Sequence, residues 1–304
     1  MNAATTCPAP TIALDETRGM LLGLAGVAIF SLTIPFTRMA VAELDPIFVA
    51  LGRALGAAVL AAAWLAWKRV PLPSRAALWQ LALVIAGCIV GFPLLTSLAL
   101  RTLPASHGAL LVGVLPLATA LYAARRGYER PSQGFWVMAL LGAGLVIVFA
   151  LAQGGGALHL ADLLVLGAVP LAAMGYAEGG RLARSMGGPE VICWALVLSV
   201  PVLLPLVAWL CAPQLAQLGQ VGPHAWTAFA YVSVGSTFTG FFFWYRGLAL
   251  GGVARVGQVQ LLQPFLSLIG AAVLLGEALT LVNCLFALAV VGVVFAARRM
   301  QVRH

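Results

Sequence analysis

Charged side chains are scarce in this sequence: only 9% of its 304 residues are Asp, Glu, Lys or Arg, whereas 62% are hydrophobic. An ordinary soluble domain carries about 25% charged residues. A water-soluble fold of this composition would have almost nothing polar to place on its surface. Apolar runs of about 20 residues, the length that crosses a hydrocarbon core, recur instead from Gly19 to the C-terminus. We therefore predict an all-α membrane protein.

Motifs of catalysis and cofactor binding are also missing. The sequence has no HExxH, no GxSxG, no pair of intramembrane aspartates and no Walker-type loop, which argues against an intramembrane enzyme and against direct use of ATP. The five cysteines form no CxxC pair and have no His partner at metal-ligand spacing. We predict no metal site, no disulfide and no cofactor. The basic residues lie at helix ends and form no nucleic-acid patch, and no oligomeric state is predicted.

Breaks at charged residues, Pro and Gly divide the apolar sequence into ten predicted transmembrane helices. With ten helices, both termini lie on the same side of the membrane. That side collects 14 of the 17 Lys and Arg residues, while the other side receives only Arg38 and Arg101. The positive-inside rule then places both termini in the cytoplasm of what we expect to be a bacterial inner membrane. The predicted helices cover 19–41, 46–67, 76–99, 103–124, 133–152, 159–183, 189–212, 224–249, 252–275 and 279–297.

The two halves of the chain repeat a pattern of residues. In each half a Leu-Ala-Leu segment is followed by a proline, by a glutamate thirteen residues later, and by a glycine after fifteen more. The first copy contains Leu98, Pro116, Glu129 and Gly144, and the second contains Leu248, Pro264, Glu277 and Gly292; upstream, Arg38 and Pro46 match Arg181 and Pro189.

An odd number of helices in each half makes the second copy enter the membrane from the opposite face. We therefore predict two inverted five-helix repeats, an arrangement typical of transporters that alternate access around a midplane site. The predicted units are a tail at 1–18, the repeats at 19–152 and 159–298, a loop at 153–158 between them, and a tail at 299–304.

These motifs resemble the drug/metabolite transporter superfamily, specifically its ten-helix EamA-type members. The resemblance rests on the repeated pattern, on Ser31-Leu32-Thr33-Ile34-Pro35-Phe36, on Asp45-Pro46 with Arg53 after it, and on Glu129-Arg130-Pro131. Segments 175–181 and 191–194 are more narrowly similar to exporters of neutral and aromatic amino acids and of the dication methyl viologen. The resemblance implies a secondary transporter in the lipid bilayer that exports amino acids and related organic cations by alternating access.

Predicted helix nine has a polar face. Gln260, Gln263 and Ser267 follow one another at spacings of three and four, so they share one face of the helix. Buried amides must find hydrogen-bond partners, so this face cannot point at lipid. It either lines a substrate cavity or forms hydrogen bonds between helices. Pro264 is expected to act with Pro116 as a hinge or packing element.

Other candidate substrate contacts lie on helices one, six, seven and eight. Thr237 and Phe238 sit deep enough in helix eight to line a path, and aromatic walls would suit apolar or aromatic side chains. Trp244 and Tyr245, beside Arg246, are expected instead in the aromatic belt at the membrane interface. The remaining candidates are Thr33, Tyr176 and Trp194.

Few charges lie inside the predicted helices. Arg53 is expected to pair structurally with Asp45 or with a helix-end carbonyl. Glu178 shares a helix face with Arg181 and is expected to form an ion pair with it, although an intramembrane carboxylate could also couple transport to protons. His107 is predicted to be a solvated loop histidine.

Three other functions stay open. A sugar-phosphate antiporter of the same superfamily would need at least two deep Lys or Arg residues, and Arg53 alone does not supply them. A channel would be distinguished by non-saturating flux. An intramembrane enzyme would need the catalytic motifs that are missing.

Overall fold

The computed structural model describes residues 10–127, 130–153, 158–215, 218–251, 256–299 and 302–303. This part of the chain is helical almost throughout. A two-residue antiparallel pairing joins β1 (Arg130–Pro131) to β2 (Val302–Arg303). The all-α prediction is therefore confirmed for the described residues.

In the described residues of the first half we distinguish five helices, several of which change helix type along their length. We number each by its position in the chain, counting consecutive helical pieces as one. They are α1 (Pro10–Ser31 and Thr33–Ala40), α2 (Phe48–Gly52 and Arg53–Lys68), α3 (Arg75–Val84, Ile85–Gly91 and Phe92–Ala99), α4 (Ala105–Val112 and Leu115–Arg125) and α5 (Gln133–Gln153).

The second half continues the same scheme. A four-residue helix, Ala212–Leu215, and a 3-10 turn, Leu218–Gln220, connect its second and third helices. The helices are α6 (Leu160–Met186), α7 (Gly188–Leu210), α8 (Pro223–Ala230, Tyr231–Gly240 and Phe241–Gly251), α9 (Gly257–Leu262 and Gln263–Leu275) and α10 (Leu281–Arg299).

Six of these helices, α1 to α4, α6 and α7, are long and apolar enough to cross a membrane. Shorter apolar helices lie within α5, α9 and α10. Large apolar side chains such as Trp67, Trp209 and Val273 are exposed on the outside of the bundle, as a lipid-facing surface requires. A multi-pass membrane protein follows, whereas the crossing of the membrane by all ten helices and the inverted repeat stay predictions.

Glycines allow two helix pairs to pack closely. Along α1 and α8, a Cβ on Gly247 would lie 2.8 Å from the backbone nitrogen of Gly23. Along α3 and α6, a Cβ on Gly87 would lie 3.0 Å from the backbone nitrogen of Gly175. Small residues permit such approach between membrane helices. The two pairs would be equivalent under the predicted repeat, since α1 corresponds to α6 and α8 to α3.

Pro116 and Pro264 each stand in the first turn of a helical piece that follows a break. In α4 the break is at Gly113 and Val114, and in α9 the 3-10 segment gives way to an α-helix at Gln263. Proline is tolerated at this position because its missing N–H would have no partner within the helix. A Cβ on Gly113 would lie 3.2 Å from Cγ of Pro264, so the two breaks meet inside the bundle.

The other repeated residues have separate roles. Glu277 accepts hydrogen bonds from the backbone N–H groups of Ala105, at 2.7 Å, and Ser106, at 2.8 Å, and so caps the start of α4. Its counterpart Glu129 lies outside the described residues. Gly144 and Gly292 have open space where a Cβ would be, so close packing does not explain them.

Candidate substrate site

A small cavity with two lobes lies where the helix irregularities meet. The larger lobe has a volume of about 20 Å³ and the smaller about 10 Å³, and Ile34 and Gln263 border both. These volumes suit a water molecule, whereas sites for small organic ligands span about 300–1,000 Å³. The site must therefore widen to admit a solute. The larger lobe is lined by Phe30, Thr33, Ile34, Arg53, Cys88, Phe92, Leu115, Ala172, Tyr176, Ser236, Phe241 and Gln263.

Two stretches of π-helix contribute residues to the larger lobe, and a third ends directly before the lining residue Arg53. They are Phe48–Gly52 in α2, Ile85–Gly91 in α3 and Tyr231–Gly240 in α8. A π-turn widens the helix and redirects its side chains, which is why such turns are frequent at functional sites. Here they bring Cys88 and Ser236 to the cavity wall, with Arg53 directly after the first stretch.

Arg53 makes contacts that differ from the sequence-based expectation. Its side chain is buried, and its Nε donates to Thr237 Oγ1 at 2.7 Å. The acceptors of Arg53 are side-chain hydroxyls and not the expected helix-end carbonyl. Asp45, the other expected partner, instead accepts hydrogen bonds from the backbone nitrogens of Ile47 and Phe48 at the start of α2. The prediction failed because a carboxylate next to a helix start is well placed to cap that helix, a contact that competes with a more distant side chain.

Two of the predicted hydroxyl residues belong to this network. Thr33 Oγ1 and Ser236 Oγ are 2.8 Å apart, and both residues line the larger lobe. Thr237 donates its own proton to the carbonyl of Val232, at 2.7 Å, and is therefore free to accept from Arg53. Thr237 thus positions the arginine and is not itself among the lining residues.

The predicted polar face of α9 borders the smaller lobe. Gln260, Gln263 and Ser267 all line it, together with both hinge prolines. Ser267 donates to the carbonyl of Ser31 at 2.7 Å and so links α9 to α1. Gln260 is buried, and its side-chain Nε2 has no hydrogen-bond partner within the described part of the chain. Ser267 thus forms an interhelical hydrogen bond, while the Gln260 amide has a donor to spare.

An aromatic cluster closes one side of the larger lobe. The ring of Tyr176 lies 5.9 Å from that of Phe241 and 5.7 Å from that of Trp244, and Phe30 stacks on Tyr176 at 6.2 Å. Trp244 and Tyr245 are buried, so their expected place in an interfacial belt is wrong. The Tyr245 hydroxyl donates to the carbonyl of Gly175, since α8 packs against α6 there.

Two predicted lining residues lie elsewhere. Phe238 is only half-buried and its ring contacts Phe242, at 5.9 Å. Trp194 is buried in α7. Neither is among the residues that line the two lobes. Both occur on helices that contribute to the bundle core, which sequence pattern alone does not distinguish from a cavity wall.

Helices α4 and α6 run parallel and are joined at their amino-terminal ends. His107 Nε2 lies 2.8 Å from Asp162 Oδ1, and both side chains are buried; we call this contact the N-terminal clamp. The prediction of a solvated histidine is wrong because α6 packs against the first turn of α4 and buries His107 against Asp162. Asp162 also accepts from the backbone nitrogen of His159 and caps α6.

The same two helices are joined again at their carboxy-terminal ends. One carboxylate oxygen of Glu178, Oε1, accepts hydrogen bonds from the hydroxyl of Tyr122, at 2.9 Å, and from Nε of Arg126, at 3.0 Å. We call these three residues the C-terminal clamp. The ion pair is with α4, a partner that sequence reasoning did not connect to Glu178, whereas Arg181 is exposed one turn further on.

Sequence reasoning missed Arg53 as a residue of the site. The signal was present, since Arg53 lies farther from the ends of its predicted helix than any other Lys or Arg of the sequence. Cys88 was missed as well, and a single cysteine in an apolar helix carries no distinguishing pattern. Among the described residues, no group of three or more His, Cys, Asp or Glu side chains could hold a metal ion.

Comparison with known proteins places the chain in a family. The model of the EamA-like transporter family matches twice, at residues 17–151 and 159–298. An uncharacterized transporter of Bacillus subtilis, YdeK, is 46% identical over 287 residues, covering 93% of this chain and 98% of that protein. A solved crystal structure shares the fold with a TM-score of 0.65 at 19% identity, covering 92% of this chain and 97% of that one. The chain thus belongs to the EamA-like transporter family.

Proposed function

We propose that the chain exports neutral and aromatic amino acids and related small organic compounds by alternating access, from the cytoplasm across a bacterial inner membrane. The observation that carries this proposal is the two-lobed cavity, which is lined by residues of both halves of the chain. Its polar wall contains Arg53, Gln260 and Gln263, and its aromatic wall contains Phe30 and Tyr176. Amino acids of these classes present the matching groups, a charged backbone and an apolar side chain.

Alternating access is supported by the two clamps. His107 and Tyr122 are fifteen residues apart on α4, or about 23 Å at 1.5 Å per residue, so the clamps lie near opposite membrane surfaces. With both formed, the cavity is too small for a solute. Opening one clamp at a time would admit solute from one side at a time. The double match of the family model and the equivalent glycine contacts favour an inverted repeat as the basis of this motion.

Passive export down the substrate's own gradient fits the position of Glu178. This carboxylate is neutralised by Arg126 and hydrogen-bonded by Tyr122, which favours a structural role over a proton relay. We infer that the protein works as a facilitator. Glu178→Gln should then retain much of the gradient-driven flux.

The decisive experiment uses purified protein in liposomes. Uptake of a panel of amino acids is measured with and without an imposed proton gradient, and saturable uptake that equilibrates without accumulation is expected. Non-saturating uptake would indicate a channel. Accumulation against the gradient after a pH step, or loss of flux in a well-folded Glu178→Gln variant, would contradict the facilitator.

A sugar-phosphate antiporter is less well supported. Among the described residues, the buried basic side chains are Arg53 and His107, and His107 already faces Asp162. One cation does not balance a phosphate that carries up to two negative charges.

A further inference from the structure

Arg53 holds a positive charge in the middle of the bundle. Its side chain is 3% exposed and lines the larger lobe. An intramembrane cation is costly and normally faces a partner or a functional cavity. The question is therefore which anion balances this guanidinium.

The contacts that Arg53 makes within the chain are to neutral groups. Nε donates to Thr237 at 2.7 Å and Nη2 to Ser236 at 3.4 Å, while Nη1 has no hydrogen-bond partner among the described residues. No carboxylate of the described residues forms an ion pair with Arg53, and the buried acids Asp162 and Glu178 face the clamp residues His107 and Arg126. Hydroxyl groups satisfy donors but leave the charge uncompensated. A buried charge in this condition costs several kcal/mol.

A purely structural role does not require that charge. A neutral amide could link α2 to the hydroxyls of α8 without the desolvation penalty. The arginine instead presents an unused donor, Nη1, on a residue that lines the cavity. A guanidinium binds a carboxylate through two parallel hydrogen bonds. Nη1 and the second N–H of Nη2 are available for these bonds.

The residues around Arg53 limit which chemical group can stand beside the anionic group of a bound solute. Rings of Phe30, Tyr176 and Phe241 lie on the same lobe and suit an aromatic or aliphatic group. The single positive charge matches one negative charge and repels a dication. The positive charge of Arg53 therefore disfavours the expected transport of methyl viologen.

We propose that Arg53 binds the carboxylate of the transported solute, so that substrates are compounds with one carboxylate beside an apolar group. This assignment rests on the proposed function and specifies its substrate class. It predicts that the carboxylate is required for recognition. The ammonium group contributes less, since the buried acids among the described residues, Asp162 and Glu178, are both engaged in the clamps.

The test varies the ligand first. Uptake of phenylalanine into liposomes is measured against competing phenylalaninamide, which lacks the carboxylate, and 3-phenylpropionate, which lacks the ammonium. We expect 3-phenylpropionate to compete and phenylalaninamide to bind at least about tenfold more weakly, as for loss of a charged hydrogen-bonded pair. Equal competition by phenylalaninamide would overturn the assignment while leaving amino-acid transport intact.

The second arm varies the protein. Arg53→Gln should lower phenylalanine affinity by about 100-fold and abolish the preference for the carboxylate, and Arg53→Lys should restore part of both. Arg38→Gln is the control, because Arg38 donates to the carbonyls of Leu100 and Arg101 and does not line the cavity. Unchanged selectivity in a folded Arg53→Gln variant would refute the role of Arg53. If Arg53→Gln does not fold, the competition series on the wild-type protein decides whether the carboxylate is required for binding.

A binding measurement separates this inference from the proposed function. Thermal unfolding of the purified protein is followed with 3-phenylpropionate, glycerol phosphate and methyl viologen. We expect stabilisation by 3-phenylpropionate that is lost in Arg53→Gln. That result without any amino-acid uptake would refute the proposed function and retain the carboxylate site. Stronger stabilisation by glycerol phosphate would reassign the site to phosphate, and stabilisation by methyl viologen alone would reject an anion site.

Discussion

Nε of Arg126 lies 3.0 Å from the Glu178 carboxylate, and the two partners are buried to very different degrees. The Glu178 side chain is 0% exposed, whereas that of Arg126 is 45% exposed. The pair therefore couples a buried anion of α6 to a cation that directly follows α4 and that water can reach.

This asymmetry predicts unequal costs for breaking the C-terminal clamp. Arg126→Ala takes the cation from a buried carboxylate and should lower the free energy of unfolding by about 3 kcal/mol. Glu178→Gln leaves an arginine that can extend into water, so a loss of about 1 kcal/mol is expected. Thermal and denaturant unfolding in detergent measure both. A larger loss for Glu178→Gln would mean that burial does not set the cost.

The two clamps are expected to gate opposite faces of the membrane. Native Cys88 lines the cavity and can report access once the other cysteines are replaced by alanine. In that background, Asp162→Asn should speed labelling of Cys88 by a membrane-impermeant thiol reagent added outside. Arg126→Ala should speed labelling from the cytoplasmic side. Substrate should slow both reactions, and faster labelling from one face in both variants would contradict opposed gates.

Gln260 and Ser267 should respond differently to substitution. The Nε2 amide of Gln260 makes no hydrogen bond in the described structure, so Gln260→Leu should reduce transport with little loss of stability. Gln263 borders both lobes, so Gln263→Leu should likewise reduce transport with little loss of stability. Ser267→Ala is the matched control: it removes the bond to Ser31 and should cost about 0.6 kcal/mol of stability, the average for such bonds in membranes. Parallel losses of stability and transport in all three variants would favour interhelical bonding throughout.

Close packing of α1 on α8 predicts sensitivity at Gly247. A methyl group there would lie 2.8 Å from the Gly23 nitrogen, so Gly247→Ala should destabilise by about 1–3 kcal/mol. Gly144→Ala adds the same methyl group where nothing lies within 4 Å and should stabilise by about 0.5–1 kcal/mol. Melting temperatures of the two variants give the comparison. Equal effects would show that the glycine contact does not determine helix packing.

The charge distribution predicts that both termini are cytoplasmic. A cysteine at Gly219, where an added Cβ would meet no other described residue beyond its chain neighbours within 4 Å, should react with an impermeant reagent on intact cells. A cysteine at Leu72, which is 82% exposed, should react only after permeabilisation. A second external site was expected near Gln153 to Gly156, where 154–156 lie outside the described residues. The reverse pattern of labelling would invert the topology.

Much of the architecture could be predicted because the free energy of transferring a helix from water into the membrane depends on the local composition of the sequence. Apolar runs define helices of membrane length, and Pro116 and Pro264 mark breaks because proline cannot donate a backbone hydrogen bond. The helix face shared by Gln260, Gln263 and Ser267 follows from helical spacing alone, and these residues do lie together. The repeated pattern likewise led to the family to which the chain belongs.

Contacts between distant helices were decided by the tertiary structure. Arg53 meets Thr237 across 184 residues of sequence, and Glu178 meets Arg126 across 52. The sequence suggested nearer partners, Asp45 for Arg53 and Arg181 for Glu178, but neither forms these bonds in the packed bundle. His107, Trp244 and Tyr245 were placed too close to solvent for the same reason. Hydropathy reports how far a residue lies along its own helix, whereas burial and pairing depend on which helices surround it, and only the packed bundle determines that.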